Sequence, residues 1–153
     1  MKERYKLNYL SEKFYEKYNK AEYPEIEHKQ KRPYLVMLIT IDDNTFAIPF
    51  RTNIRHSHCY KFQNTSRSTV AATGLDFTKA VIVNDDTYIG EAAMIDDKEF
   101  VELNDRYLFI INKFRTYVNG YKKYVVSKSY MHQINKYRYT SLQYFHKELN
   151  INN

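Results

Sequence analysis

The sequence lacks the features that mark several large protein classes. Its single cysteine, Cys59, excludes an internal disulfide framework, in keeping with a reducing compartment. No apolar run approaches the about 18 residues that span a bilayer, and residues 1–6 lead into no signal-like apolar segment. We therefore expect a cytoplasmic protein with no membrane partner. Internal repeats and linkers are also missing, so residues 1–153 are predicted to form a single domain.

Tryptophan is absent, whereas tyrosine is abundant. The chain has 16 tyrosines and a net charge of +6, and several tyrosines stand beside basic residues, as in residues 121–124 and 136–139. Cationic side chains gain affinity for RNA by releasing counterions from its phosphates, and aromatic faces stack on unpaired bases. The pattern favours a single-stranded nucleic acid as partner. The alternative is that most of these tyrosines are amphipathic packing residues.

Strand-like patterns dominate the first part of the chain. Residues 1–10 alternate loosely and predict a short edge strand, and Ser11 can cap a helix over residues 12–18. Apolar runs on either side of the turn-forming residues 42–44 predict a central β-hairpin over residues 34–48. Further short strands are predicted at residues 60–62, 80–83 and 87–90.

Helical spacing of apolar side chains follows in the second part of the chain. Residues 99–118 predict one amphipathic helix that Gly120 ends, and residues 129–149 predict a second helix. Strands first and larger helices later are typical of an α+β fold. We expect a small, strongly bent sheet with helices on its outside.

The stretch 46–58 changes abruptly from apolar to polar residues after Pro49. Proline has no N–H, so Pro49 is predicted to mark the end or an edge of a strand, and the polar residues behind it a loop on a rigid scaffold. The outer ends of a hairpin lie side by side. Arg32, before the first strand, and residues 52–55, after the second, are therefore expected to converge.

This loop carries groups suited to metal-free RNA cleavage. In that reaction the 2′-hydroxyl attacks the adjacent phosphate, so the protein must accept a proton, stabilise the charged transition state and protonate the leaving 5′-oxygen. Arg55, with Arg32 and Arg51, is expected to hold phosphate oxygens through forked guanidinium donors. These arginines are the predicted phosphate-binding part of the site.

Four further residues of the loop can position or move protons. The unperturbed pKa of a histidine side chain is about 6.5, so histidines such as His56 and His58 are candidates for proton transfer near neutral pH. Thr52 and Asn53 can orient the 2′-hydroxyl or a phosphate oxygen. Thr52, Asn53, Arg55 and His56 are the candidate catalytic residues, and His58 is a candidate for RNA contact. The alternative is structural: histidines of a basic loop are commonly solvated, and Thr and Asn commonly satisfy turn backbone.

Metal sites are disfavoured by spacing. His56, His58 and Cys59 offer zinc ligands, but a closed site needs four, and the other histidines are scattered. The acidic pairs that could suggest magnesium-dependent chemistry each fall in a predicted turn, at residues 42–43, 85–86 and 96–97. We therefore expect no metal and no other cofactor.

Two motifs, Phe-Ala-Ile-Pro-Phe-Arg-Thr-Asn-Ile-Arg-His at residues 46–56 and Gly-Leu-Asp-Phe-Thr-Lys-Ala at residues 74–80, resemble the toxins of type III toxin–antitoxin systems. These toxins include the ToxN/AbiQ, CptN and TenpN groups, and the likeness is greatest to TenpN. It extends thinly from Tyr34 to Val118. The resemblance implies a barrel-like sheet of the MazF/Kid type and a metal-independent endoribonuclease. Cleavage by 2′-hydroxyl attack would leave a 2′,3′-cyclic phosphate and a 5′-hydroxyl.

The resemblance also implies roles for particular residues. Thr52 falls where ToxN-like proteins have serine, and Arg55 and Arg32 fall where they have lysine. Because arginine is a poor proton donor, acid catalysis is not expected at Arg55 or Arg32.

The implied partners are two kinds of RNA. One is cellular messenger RNA as substrate, and the other is a small structured RNA, made from tandem repeats, as inhibitor. Lys79, Lys122 and Lys123 are expected to contact RNA, and protein subunits to be joined through the inhibitor. A non-catalytic RNA-binding module is the alternative from another functional class.

Overall fold

The computed structural model describes residues 4–28, 34–63, 65, 72–127 and 134–151. These residues form a seven-stranded antiparallel sheet and four α-helices. The strands are β1 (Lys6–Leu10), β2 (Leu35–Ile41), β3 (Asn44–Arg51), β4 (Cys59–Lys61), β5 (Gly74–Asp76), β6 (Val81–Ile82) and β7 (Ile89–Ala92). The helices are α1 (Glu12–Lys17), α2 (Asp97–Asp105), α3 (Tyr107–Val126) and α4 (Ile134–Tyr137), and short 3₁₀ turns cover Phe77–Lys79, Asp86–Tyr88 and Ser141–Tyr144.

The hairpin of β2 and β3 is the centre of the sheet, as predicted. Ile41 pairs with Asn44, so only Asp42 and Asp43 form the connection. Both have positive φ, 51° and 69°, which is the geometry of the type I′ turn that suits the twist of two-residue hairpins. Aspartate tolerates this region because its short side chain can bond locally.

Pro49 does not end its strand, because β3 continues to Arg51, but the alternative prediction of an edge position holds on one side of the strand. On one side Pro49 is paired with Val36 of β2. On the other side β3 pairs with β6 before Pro49 and with β5 after it. Pro49 therefore falls where the neighbouring strand changes, and its missing N–H interrupts neither ladder.

The sheet is open. Its order is β4-β5-β3-β2-β1-β7, with β6 beside β3, and in the described part of the chain the outer strands β4 and β7 do not pair with each other. The α+β fold with an antiparallel sheet is therefore confirmed, while closure into a barrel is not supported. β1, predicted as an edge strand, lies between β2 and β7, because the later strand β7 takes the outer position.

Helices cover both faces of the sheet. Phe46 of β3 and Phe77 pack edge-on against Phe114 of α3, with ring centroids 5.2 and 5.3 Å apart. On the other face, Phe14 of α1 lines a small cavity together with Ala47 of β3. The α1 helix begins as predicted, and no helix in the described ranges is long and apolar enough to cross a membrane.

The second half of the chain differs from the predicted pair of helices. The single helix predicted over residues 99–118 is divided into α2 and α3 at Arg106, and α3 passes Gly120. The long helix predicted over residues 129–149 is also wrong: α4 is only one turn, and residues 129–133 lie outside the described residues. Buried Thr140 caps a separate 3₁₀ turn, which competes with a continuous helix.

Gly120 lies inside α3 because a neighbouring side chain occupies the space of a Cβ atom. A Cβ built at this position lies 2.2 Å from the hydroxyl oxygen of buried Tyr137. Glycine to alanine in a helix normally stabilises by about 1 kcal/mol. Here we expect Gly120→Ala to destabilise by about 1–3 kcal/mol, because the buried ring must move. Urea unfolding measures this effect.

The neighbouring exposed position of the same helix provides a control for Gly120→Ala. Asn119→Ala should be neutral or slightly stabilising, since asparagine has the lower helix propensity and Asn119 is exposed. Equal gains in stability for both variants would contradict the close packing of Gly120 on Tyr137.

Candidate active site

The loop of residues 52–58 leaves the end of β3, beside the start of β2. Val36 is paired with Pro49, so the two outer ends of the hairpin do converge as predicted, although Arg32 lies outside the described residues. The backbone of the loop is fixed at both ends. The N–H of buried Ile54 donates to the Ala72 carbonyl at 2.8 Å, and the Cys59 thiol donates to the His56 carbonyl at 3.3 Å.

Three of the predicted site residues project from this fixed loop. Thr52, Asn53 and Arg55 are exposed, and their side chains form no hydrogen bond or ion pair with the described residues. Asn53 has a φ of 61°, a left-handed conformation that asparagine tolerates better than most residues and that turns the chain. The three side chains therefore have donor and acceptor groups available to a ligand.

A buried carboxylate holds the base of the loop. Asp76, at the end of β5 in the second motif, is fully buried and accepts from Arg51 Nη1 at 2.6 Å. Its other oxygen accepts from the Thr78 backbone at 3.0 Å and from the Thr78 hydroxyl at 2.6 Å. Burial raises the pKa of Asp76, but the hydrogen bonds from Thr78 and Arg51 outweigh it and hold that pKa below its ordinary value. The ionised carboxylate thus joins β5 to the end of β3.

The Arg51 guanidinium contacts two carboxylates. Besides Asp76, the guanidinium lies 3.6 Å from Glu27. Two negative charges therefore compensate its single positive charge. The phosphate-binding role of Arg51 stays a prediction, whereas its contact with Asp76 gives it a structural role. The isolated aspartate between Leu75 and Phe77 was the signal in the sequence for this ion pair.

Both ring nitrogens of His56 face protein groups. Its Nδ1 accepts from the backbone N–H of His58 at 3.1 Å, which places the proton of the neutral ring on Nε2. This Nε2 is buried and lies 3.2 Å from Asp76 Oδ1, but the N–H is not directed along that line, so the contact is electrostatic and not a hydrogen bond. His56 is therefore placed to orient the loop. Its predicted role in proton transfer stays a prediction, because both ring nitrogens face protein groups instead of an open surface.

The ring nitrogens of His58, unlike those of His56, are not engaged by groups of the described residues. Its half-buried ring lies between those of His56 and Tyr117, with centroids 5.8 and 6.1 Å away, and neither nitrogen has a hydrogen-bond partner among the described residues. Burial lowers the pKa of His58 most, and electrostatic interactions with Lys136, His56 and Lys113 lower it further, whereas Asp76 raises it by less. His58 is therefore neutral near pH 7, with a nitrogen able to accept a proton.

Lys113 and Lys136 are site residues that sequence reasoning missed. Lys113, on α3, donates to the Cys59 carbonyl at 2.8 Å, directly after His58. Lys136 lies on α4, with its ammonium 5.3 Å from the Tyr137 ring centroid. Both residues belong to helices distant in sequence from the loop, so no local pattern could identify them.

The other predicted RNA-binding lysines fall in two places. Lys79 follows the Asp76 segment and donates to the Tyr139 carbonyl at 3.1 Å, and burial lowers its pKa. Lys122 and Lys123 lie toward the end of α3 and, within the described residues, form no hydrogen bond, ion pair or ring contact with the loop. Only Lys79 is joined to the site by contacts.

The groups considered for metals have other contacts. Burial raises the pKa of Cys59, so its thiol stays protonated and is a poor zinc ligand. The acidic pairs occupy turns and caps as predicted: Asp85 accepts from Thr87, and Asp96 caps α2. Within the described ranges no cluster of three or more potential ligands is present.

Comparison of the chain with protein-family models, with curated proteins and with solved structures gave no match. The likeness to type III toxins therefore rests on the two sequence motifs. Their relation in space is informative, because Arg51 of the first motif bonds Asp76 of the second. The two motifs form one structural unit at the loop.

Proposed function

We propose that the protein is a metal-independent endoribonuclease of the toxin type that its motifs resemble. It cuts single-stranded RNA and leaves a 2′,3′-cyclic phosphate and a 5′-hydroxyl. One observation carries the proposal: a single anchored loop presents Arg55 and Thr52, whose side chains have no partner among the described residues. A few residues further on, the same loop presents a neutral His58 whose nitrogens have no hydrogen-bond partner in that part of the chain. Charge stabilisation and proton transfer are the two requirements of this reaction.

The roles follow from protonation and exposure. Neutral His58 accepts the proton of the 2′-hydroxyl as its oxygen attacks phosphorus. The Arg55 guanidinium binds the non-bridging oxygens, on which negative charge grows in the transition state. The bond to the 5′-oxygen then breaks, and that oxygen takes a proton. We assign this donation to Lys136, whose positive charge acts on His58 and lowers its pKa.

Three other residues support this reaction. Thr52 and Asn53 orient the attacking hydroxyl or a phosphate oxygen through their exposed polar groups. His56 positions the loop through Asp76 and the His58 backbone. Substitution of His56 is therefore expected to misalign His58, while the group that accepts the proton remains present.

The proposal includes the inhibitor and substrate that the resemblance implies. A structured RNA made from tandem repeats is expected to cover the loop, and cellular messenger RNA is the expected substrate. Lys122 and Lys123, which lie apart from the loop, suit a second contact with the same inhibitor. Contact at two surfaces would join subunits through RNA in a ring or an open chain.

The test is cleavage of single-stranded RNA in excess EDTA by protein freed of nucleic acid. The wild type should cleave, and its products should carry cyclic phosphate and 5′-hydroxyl ends. Arg55→Ala should lower kcat by about 10²–10³-fold, because its charge is used in the transition state, while binding of a 2′-O-methyl RNA changes little. Thr52→Ala should likewise lower kcat and leave the binding of the 2′-O-methyl RNA almost unchanged.

Arg115→Ala is the matched control, since Arg115 is an exposed arginine of α3 outside the loop. It should cleave at the wild-type rate. Cleavage abolished by EDTA and restored by magnesium would contradict the mechanism. RNA binding without cleavage under any condition would favour the non-catalytic binding module instead.

A further inference from the structure

The turn after α4 carries an exposed tyrosine close to the proposed site. Among the tyrosines of the described residues, Tyr139 alone is exposed, with 61% of its surface accessible. The others pack wholly or partly into the protein, as Tyr137 does at 2%. The packing interpretation of the abundant tyrosines is therefore confirmed for most of them. Tyr139 is therefore the tyrosine of the described set with the most surface available for stacking on a base.

This ring stands on a fixed backbone. Lys79 donates to the Tyr139 carbonyl at 3.1 Å, and the Ser141 hydroxyl donates to the Thr78 carbonyl at 3.2 Å. Thr78 in turn donates to Asp76, the carboxylate that holds the base of the catalytic loop. The turn that carries Tyr139 and the loop therefore share one anchor.

Cations accompany the ring. The Arg138 guanidinium carbon lies 5.3 Å from the Tyr139 ring centroid, and both side chains are exposed. The Tyr137 ring, on the same segment, lies 5.4 Å from the Tyr117 ring, which in turn lies 6.1 Å from the His58 ring. This segment therefore connects the proposed proton acceptor to an exposed aromatic face. An aromatic face with adjacent cations is the usual arrangement for binding single strands, since the ring stacks on bases and the cations bind phosphates.

We propose that Tyr139 and Arg138 form a nucleotide subsite, in which the Tyr139 ring stacks on one unpaired base of single-stranded RNA and Arg138 binds an adjacent phosphate. The inference rests on the proposed function in one respect, because the bound nucleotide is one that flanks the cleaved linkage. Recognition through the face of a base accepts all four bases. It excludes duplex RNA, whose bases are already stacked on each other.

A second exposed aromatic–arginine pair is less suited to RNA. Phe109 of α3 carries the Arg106 guanidinium 4.3 Å above its ring. Arg106, however, lines a groove together with Asp97, Glu102 and Asp105. Three carboxylates beside one arginine repel phosphate. In the described part of the chain, no carboxylate forms an ion pair or hydrogen bond with Arg138 or Tyr139.

The test measures binding of a short 2′-O-methyl RNA, which cannot be cleaved by 2′-hydroxyl attack. Tyr139→Ala should weaken binding by about 5- to 150-fold, the usual value of one stacked base, and Tyr139→Phe should bind as the wild type does. Arg138→Ala should reduce the log–log salt slope by about 0.7, the share of one phosphate contact on a single strand. Phe100→Ala, which removes an exposed aromatic of α2, should change nothing.

Abasic scanning makes the test specific to stacking. Removal of one base at a particular position of the RNA should weaken binding to the wild type and leave binding to Tyr139→Ala unchanged. Equal losses for both proteins at every position would overturn the subsite. RNA cleavage is measured separately. If removal of a base weakens binding only when Tyr139 is present, but no RNA is cleaved, the enzyme proposal alone is contradicted. If the wild type cleaves RNA and Tyr139→Ala binds RNA normally, the subsite alone is contradicted.

Discussion

His58→Ala should lower kcat for RNA cleavage by about 10²–10⁴-fold, the usual contribution of a general acid or base. His58 is the histidine of the loop whose two nitrogens have no hydrogen-bond partner among the described residues, whereas both nitrogens of His56 face protein groups. Binding of 2′-O-methyl RNA should change much less than the rate. Single-turnover cleavage at saturating enzyme measures the chemical step directly.

The pH dependence of kcat/KM gives a second, independent result. A general base must be neutral, so the rate should rise with pH until His58 has lost its proton. Burial, Lys136 and Lys113 lower the pKa of His58 from its ordinary 6.5, so the acidic limb should have its midpoint below pH 6.5. In His58→Ala this limb should vanish, and added imidazole should restore part of the rate.

His56→Gln distinguishes proton transfer from positioning. Its nitrogens face the His58 backbone and Asp76, so the variant should lower the rate but keep the acidic limb, and imidazole should not rescue it. The reverse result, in which the limb disappears with His56 and persists without His58, would assign the proton transfer to His56. That outcome would contradict the roles proposed for both histidines.

Asp76→Ala should destabilise the protein by about 1–3 kcal/mol at neutral pH, the usual cost of leaving hydrogen-bond donors without their buried acceptor, because the one-third-exposed Arg51 keeps Glu27 as a second partner. The substitution leaves Arg51, His56 and the Thr78 hydroxyl facing a vacated carboxylate position. Asp76→Asn should cost less, since the amide oxygen can still accept one hydrogen bond. Urea unfolding measures the free energies.

The chain contains a matched control for this substitution. Asp85 accepts from the backbone and hydroxyl of Thr87 at 2.9 and 2.6 Å, the same local capping as Asp76 with Thr78, but it is exposed and has no arginine partner among the described residues. Asp85→Asn should therefore have a much smaller effect than Asp76→Asn. If Asp85→Asn and Asp76→Asn lower the free energy of unfolding equally, the hydrogen bonds within the turn account for the effect, and the ion pair with Arg51 contributes nothing.

The effect of Asp76 should depend on pH in a definite direction. Its folded-state pKa is lowered, so its stabilisation is complete above the ordinary value of 3.8 and is lost as the pH falls through the lower folded-state pKa. The difference in unfolding free energy between wild type and Asp76→Asn should therefore shrink in strong acid. A difference that grows with acidification would contradict an ionised Asp76.

Local patterns predicted the elements that depend on local chemistry. The hairpin followed from two apolar runs around Asp42 and Asp43, whose side chains tolerate the left-handed turn. Ser11 capped α1 as expected, because an N-cap needs only residues that follow it closely. The errors arose where a distant partner decides the structure. Pro49 is tolerated because the neighbouring strand changes at that point, and Gly120 because Tyr137 packs on it.

The candidate site also has features that follow from local sequence and features that depend on distant residues. The sequence alone determined that a polar loop with hydroxyl, guanidinium and imidazole groups follows the central hairpin, because those residues are contiguous. Only the tertiary structure decided which groups are free. Asp76 engages Arg51 and turns His56 inward, and Lys113 and Lys136 approach from helices to lower the pKa of His58. Proton affinity and availability depend on burial and on charges brought together by folding, and these are properties that a residue's neighbours in sequence do not determine.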